Sequence, residues 1–169
     1  LIQKNIPCEQ QRKIAQKYHK ELAKEVDLNK RYYALMHFDG DKMGKIVSGE
    51  LLKNRANQKL QDFQTKVSTL LGDFAKQATA YLEAPLGQAV YAGGDDFLGF
   101  INLNHLFEVM LYLRDLFDKE VNIKLQEEYP LEQDFTFSAG VAIAHYKEPL
   151  SIVINKANQA ESIAKNEEK

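Results

Sequence analysis

Ala89-Val-Tyr-Ala-Gly-Gly-Asp-Asp-Phe-Leu-Gly99 is two short apolar runs joined by two glycines and two aspartates. Glycine adopts the positive φ angles that tight primed turns require, so the segment reads as a β-hairpin. Its tip carries Asp95 and Asp96, with no basic residue alongside to offset them. Gly93 and Gly94 have a second use, since a chain without Cβ atoms lets a nucleotide approach the backbone closely. Aspartate is also a common turn residue for local hydrogen-bonding reasons, so the motif by itself also reads as a solvated hairpin tip.

A second acidic element lies upstream. Tyr32-Tyr-Ala-Leu-Met-His-Phe38 is strand-like and runs into Asp39-Gly40-Asp41. Side chains alternate along a strand, so Asp39 and Asp41 project from one face if the extended conformation continues. The wider pattern predicts a helix over about 9–27, a strand over 31–39, a basic loop into a helix over about 57–83, and strands over 88–92 and 96–101. A helix over about 104–128, a strand over 134–144 and a last helix over about 149–166 follow. From residue 31 this is β-α-β-β-α-β, the ferredoxin-like order of an α+β domain, with an extra helix at each end. The expected division is an N-terminal helical segment, 1–30, and one sheet domain, 31–169. The first crossover makes strands one and two parallel, so Asp39 and the Asp95-Asp96 turn meet at one rim.

Core stripes agree with that order. Leu60, Phe63, Val67, Leu70, Leu71 and Phe74 recur at helical spacing, as do Leu103, Leu106, Phe107, Met110, Leu111, Leu113 and Phe117. Two such helices cover one face of an antiparallel sheet. Phe135, Phe137, Ala139, Val141 and Ile143 alternate with smaller residues, as in a strand packed on both faces.

Clustered carboxylates are a poor stability device. Two of them about 4 Å apart repel by roughly 4 kcal/mol at an effective dielectric near 20. A cation removes that penalty, and hard oxygen donors without a cysteine or histidine cluster favour Mg²⁺ or Mn²⁺ over zinc. Two such ions can activate a hydroxyl and neutralise a leaving pyrophosphate, which points to metal-dependent nucleotide chemistry. Lys42, Lys45, Lys53, Arg55 and Lys59 follow the first acidic motif; they either face triphosphates or decorate an exposed loop. His37 lies by alternation beside Leu35 and Asp39 and reads as a partly buried histidine bonded to a neighbour rather than a general base.

Composition sets outer bounds. The 169 residues are 44% hydrophobic, enough for one substantial core, and the net charge of −2 excludes a broadly basic nucleic-acid coat. Cys8 is the single cysteine, which excludes an internal disulfide or a cysteine zinc site within the chain. No run is long enough to span a membrane, and a cytoplasmic address is the expectation.

His37-Phe-Asp-Gly-Asp-Lys-Met-Gly-Lys45, Gly93-Gly-Asp-Asp96 and Phe137-Ser-Ala-Gly-Val-Ala-Ile143, in this order and spacing, resemble the second palm domain of the large subunit of type III CRISPR effector complexes. The first motif and His145-Tyr-Lys-Glu-Pro-Leu150 are more similar to the Cmr branch than to the Csm branch. The resemblance covers about residues 31–168. Diguanylate cyclases are relatives of the same palm, but their turn reads Gly-Gly-Asp-Glu-Phe, whereas Asp96 stands here in place of the glutamate.

The resemblance implies a palm that binds ATP and makes cyclic oligoadenylate messengers when its complex, with guide RNA and other subunits, binds target RNA. It implies Asp39 and Asp96 as principal metal ligands, Asp95 as a supporting catalytic and metal residue, and the Gly40 carbonyl as a further donor. Asp41 is either another ligand or an orienting group for Lys42 or the backbone. Ser138 matches a serine near the nucleotide base, and Lys165 resembles a lysine that pairs with triphosphate oxygens; a solvated lysine at a helix C-terminus is the plainer reading of the latter. The relatives are larger, multidomain subunits whose reaction centre lies between two palms, so this chain is expected to be a fragment that turns over little alone. Two other functions stay open: a silent palm that docks effector subunits and guide RNA through the helix at 9–27, and a free-standing nucleotide cyclase.

Overall fold

The computed structural model of the chain describes residues 13, 31–53 and 59–167. The helix expected over 9–27, Arg55 and the start of the helix expected from residue 57 lie outside the described residues. The elements are β1 (Tyr32–Gly40), a short helix α1 (Met43–Val47), the long helix α2 (Leu60–Tyr81), and the hairpin strands β2 (Gly87–Ala92) and β3 (Phe97–Ile101). Helix α3 (Leu106–Phe117) runs on through a π-helical segment (Asp118–Ile123) into α4 (Lys124–Gln126), and β4 (Phe137–His145) and α5 (Leu150–Glu167) complete the chain. The sheet order is β2-β3-β1-β4, with every neighbouring pair antiparallel. β1 and β2 therefore point the same way, and their C-terminal ends share one rim, as the ferredoxin-like order requires.

Alternation along β1 assigns its residues to two cores. Ala34, Met36 and Phe38 face α2 and α3, where they meet Phe63, Val67, Leu70, Leu71 and Phe74 of α2 and Val109, Leu113 and Phe117 of α3. Val109 and Leu113 are the fully covered centre of the α3 stripe, while Phe107 and Leu111 flank it half-buried. Phe38, Phe63, Phe74 and Phe97 are wholly buried, each stabilising the fold by about 1.5–3 kcal/mol. Phe38 is the hub: it stacks on Phe97 at 4.8 Å between ring centroids and touches Phe137 at 4.5 Å and Phe74 at 6.0 Å.

Leu35 faces the other way. With Ala142 and Ala144 of β4 it packs beneath Val153 and Ala157 of α5. The last helix thus covers the second face of the sheet, a position that the sequence pattern does not specify. Gly140 makes the approach possible, because a Cβ there would lie 2.1 Å from the Ala157 carbonyl oxygen and 2.3 Å from the Glu161 nitrogen.

β4 starts later than its alternating pattern suggests. The backbone of Phe135 is held by a side chain instead of a strand: its N–H donates to Asn122 Oδ1 at 2.8 Å, and Asn122 Nδ2 donates to its carbonyl at 3.0 Å. Asn122 sits in the π segment, where the looser winding changes which residues turn inward. Among the described residues no helix is long and apolar enough to cross a membrane.

Two substitutions test this packing. Phe38→Ala should lower the unfolding free energy by about 3–5 kcal/mol in denaturant titration, the usual cost of emptying a large aromatic site. Gly140→Val should lower the melting temperature and shift α5 outward, visible as faster amide exchange along that helix, since backbone rather than a flexible side chain blocks the new methyls.

Candidate functional site

Register places the acids. β1 and β3 pair through Phe38 and Phe97, so the next residues, Asp39 and Asp96, stand opposite each other just past that pair. Directly opposite residues have Cβ atoms about 4.5–5.5 Å apart. On its other side Asp39 pairs with Ser138 of β4, and His37 pairs with Gly140. These residues share the face that α5 covers. The phenylalanine stack on the helix-layer side and the aspartates on the α5 side are consecutive rungs of one ladder.

The hairpin turn is longer than a two-residue primed turn. Ala92 pairs with Phe97, leaving Gly93, Gly94, Asp95 and Asp96 in the loop, which closes with Gly93 N–H donating to the Asp96 carbonyl at 2.8 Å. Only Gly94 uses glycine's freedom, at φ 104°. At Gly93 a Cβ would lie 2.1 Å from Tyr91 Oη, the end of an exposed side chain that would have to swing aside. Asp95 leans on the neighbouring strand end, its Cβ 3.0 Å from where a Gly40 Cβ would be.

Each principal aspartate has its own counter-group. Lys165 Nζ, from the last turns of α5, donates to Asp39 Oδ2 and lies 3.2 Å from Glu161 Oε1. Burial pulls the Lys165 pKa down, but the carboxylates of Asp39 and Glu161 beside it outweigh that and the net shift is upward, so the ammonium stays charged. His37 Nε2 lies 3.0 Å from Asp96 Oδ1, while His37 Nδ1 is buried without a partner. The imidazole is thus bonded to a neighbour, as alternation suggested, and that neighbour comes from the hairpin turn.

Asp41 is placed differently. It is 6% exposed, and both carboxylate oxygens are taken, Oδ2 by the Thr136 hydroxyl and Oδ1 by the Ser138 hydroxyl, each at 2.7 Å. Its backbone N–H donates to the Thr136 carbonyl at 2.8 Å. Asp41 shares a face with Asp39, as alternation predicts, but the clamp draws its carboxylate into the start of β4. Ser138 is buried and spends its hydroxyl on this bond. Lys42 follows at φ 54°, capping α1 with its side chain exposed, and Lys45 is exposed one turn later. Lys53 is tied by its backbone to Pro130.

The structure therefore brings together Asp39, Asp96 and Lys165, with Asp95 and the Gly40 backbone alongside, and couples Asp41 to Ser138 in a separate clamp. Glu161 and Thr136 escaped the sequence reading; Glu161 had a signal in its spacing of four before Lys165, an ordinary helix pair on paper. Among the described residues no three acidic, histidine or cysteine side chains converge as a ready-made metal cage. Mg²⁺ does not need one: it is commonly held by one or two carboxylates with substrate phosphates and water completing the shell. The donor set fits such an ion, and the Lys165 ammonium on Asp39 shows that this rim accepts a cation.

The family model for the second palm domain of Cas10/Cmr2 matches residues 32–169. The chain is 30% identical over 151 residues to the CRISPR system Cmr subunit Cmr2 of Pyrococcus furiosus, covering 79% of this chain and 17% of that protein. In fold it is similar to a Csm1–Csm4 cassette in complex with one ATP, at TM-score 0.58 and 21% identity, over 88% of this chain and 21% of the other. It is also similar to the diguanylate cyclase SiaD of Pseudomonas aeruginosa, at TM-score 0.53 and 18% identity, over 93% and 55% of the two chains. The chain thus spans less than a fifth of its curated relative, and the cyclase likeness speaks for the shared palm alone. Joined to the acid rim at the hairpin, the match across the sheet domain means that this chain belongs to the Cas10/Cmr2 family as a second palm domain.

Proposed function

We propose that this palm binds Mg²⁺- or Mn²⁺-ATP at the Asp39–Asp96 rim and takes part in cyclic oligoadenylate synthesis within a cytoplasmic type III CRISPR complex activated by target RNA. The observation that carries the reading is the pairing of two aspartates on adjacent strands, facing a lysine that α5 delivers to the same point. Asp39 and Asp96, with the Gly40 carbonyl and Asp95 in support, would hold the divalent ions, of which two suit this chemistry. When bound, such ions supply Lewis-acid polarisation of phosphate oxygens and charge neutralisation.

The chain's own residues do the rest. Gly93 and Gly94 leave the turn backbone open to the triphosphate, and Lys42 and Lys165 bring positive charge to it from two sides. His37 holds Asp96 by one oxygen and leaves the other free. The reaction is attack of a ribose 2′ or 3′ oxygen of one ATP on the α-phosphorus of another. An O–P bond forms, the bond to the bridging oxygen breaks, pyrophosphate leaves and the hydroxyl proton passes to solvent. Positioning and electrostatic stabilisation carry the catalysis, as in phosphoryl transfer generally.

The test is the assembled complex with guide RNA, target RNA, labelled ATP and Mn²⁺. Asp39→Asn with Asp96→Asn should reduce oligoadenylate formation by about 100-fold or more with assembly unchanged, since each aspartate neutralises charge at the reacting phosphate. Unchanged assembly with no product from the unaltered chain either would make the palm a docking module. Asp41→Ala should behave in the opposite way: it strands the buried Ser138 hydroxyl and costs about 1–3 kcal/mol of stability in thermal unfolding, while Mn²⁺ affinity persists. Loss of Mn²⁺ binding at unaltered stability would instead make Asp41 a ligand.

A further inference from the structure

Glu161 is a charged side chain that neither the acid rim nor the core explains. It is 6% exposed, on the inner side of α5, where the missing side chain of Gly140 lets the helix press its backbone onto β4. Its Oε2 receives only a long contact from the Ser162 hydroxyl at 3.4 Å, and no aligned hydrogen bond reaches its buried Oε1. What faces Oε1 is the Lys165 ammonium at 3.2 Å. A glutamate kept merely for a helical i,i+4 pair would sit at the surface, where such pairs form without desolvating the carboxylate. Burying it is costly unless the retained charge has a use.

The arrangement around Lys165 supplies that use. Its ammonium lies between two carboxylates of different standing: Asp39, on the strand end that would take up a divalent ion, and Glu161, on its own helix one turn back. An ion on Asp39 and an ammonium on the same carboxylate repel each other, so the ion weakens the hold of Asp39 on Lys165. Once Asp39 is committed to the metal, Lys165 without Glu161 would be free to leave for solvent along its four-carbon stem. We propose that Glu161 is a positioning residue, which retains Lys165 at the rim after Asp39 has taken up the divalent ion and so presents the ammonium to the triphosphate. The inference rests on the nucleotide reading above.

Titration of the full chain with Mn²⁺ followed by electron paramagnetic resonance, and with ATP or AMP at saturating Mn²⁺ followed by calorimetry, tests it. Glu161→Gln keeps the shape and removes the charge. It should weaken ATP binding about tenfold, the scale of one charge-assisted hydrogen bond, and leave affinity for AMP and for Mn²⁺ alone unchanged. Lys165→Met should weaken ATP binding to the same extent while tightening Mn²⁺ alone, because the ammonium that competes for Asp39 is gone, and the double variant should bind ATP no worse than Lys165→Met. A role in stability alone would lower the melting temperature without separating ATP from AMP. Equal ATP affinity in Glu161→Gln, equal losses for ATP and AMP, or additive losses in the double variant would each overturn the proposal. If Glu161→Gln fails to fold, Glu161→Asp, which shortens the tether, is measured against the same outcomes. Asp39→Asn separates the two claims. If it binds Mn²⁺-ATP like the unaltered chain, the nucleotide reading falls and this inference with it; if it loses binding while Glu161→Gln does not, only the role of Glu161 falls.

Discussion

The stacked pair of Phe38 and Phe97 is the contact on which the rest of this palm depends. It lies on adjacent strands, on the side of the sheet that α2 and α3 cover, and its rings are nearly parallel at 7°. Strand register is strongly specified wherever one face is buried, because a slip of one residue would turn these rings out of the core. The same register decides what happens one residue further on. Asp39 and Asp96 follow the two rings directly, so the apolar stack on one face holds the carboxylates opposed on the other.

That opposition is unfavourable by itself, and the fold meets it with separate counter-groups instead of dispersing the charge. Lys165 answers Asp39 and His37 answers Asp96, while Asp41 is drawn aside by two hydroxyls. The rim still carries more negative than positive charge, because Lys165 is shared between Asp39 and Glu161. The rim's dependence on α5 also explains why the sheet needs a helix on its second face, since that helix delivers both Lys165 and Glu161.

Much of the fold was legible because periodicity reports burial. The stripe Phe63, Val67, Leu70, Leu71, Phe74 and the strand Tyr32–Phe38 each announce one element, and the two-glycine turn announces the hairpin. Elsewhere the same reasoning stopped short. α5 buries chiefly Val153 and Ala157, too few and too small to mark a face. The late start of β4 depends on Asn122, a polar residue that only the π segment turns toward Phe135.

The amino-acid order alone determined that this is a β-α-β-β-α-β palm and that aspartates from two segments share a rim, because strand alternation and crossover handedness are local or nearly local rules. Which acids are available was decided by tertiary structure. Asp41 and Ser138 bind each other across 97 positions, and Lys165 reaches Asp39 across 126. The first depends on the register of β1 against β4 and the second on how closely α5 approaches the sheet over the bare backbone of Gly140, and no periodicity in the sequence encodes either distance.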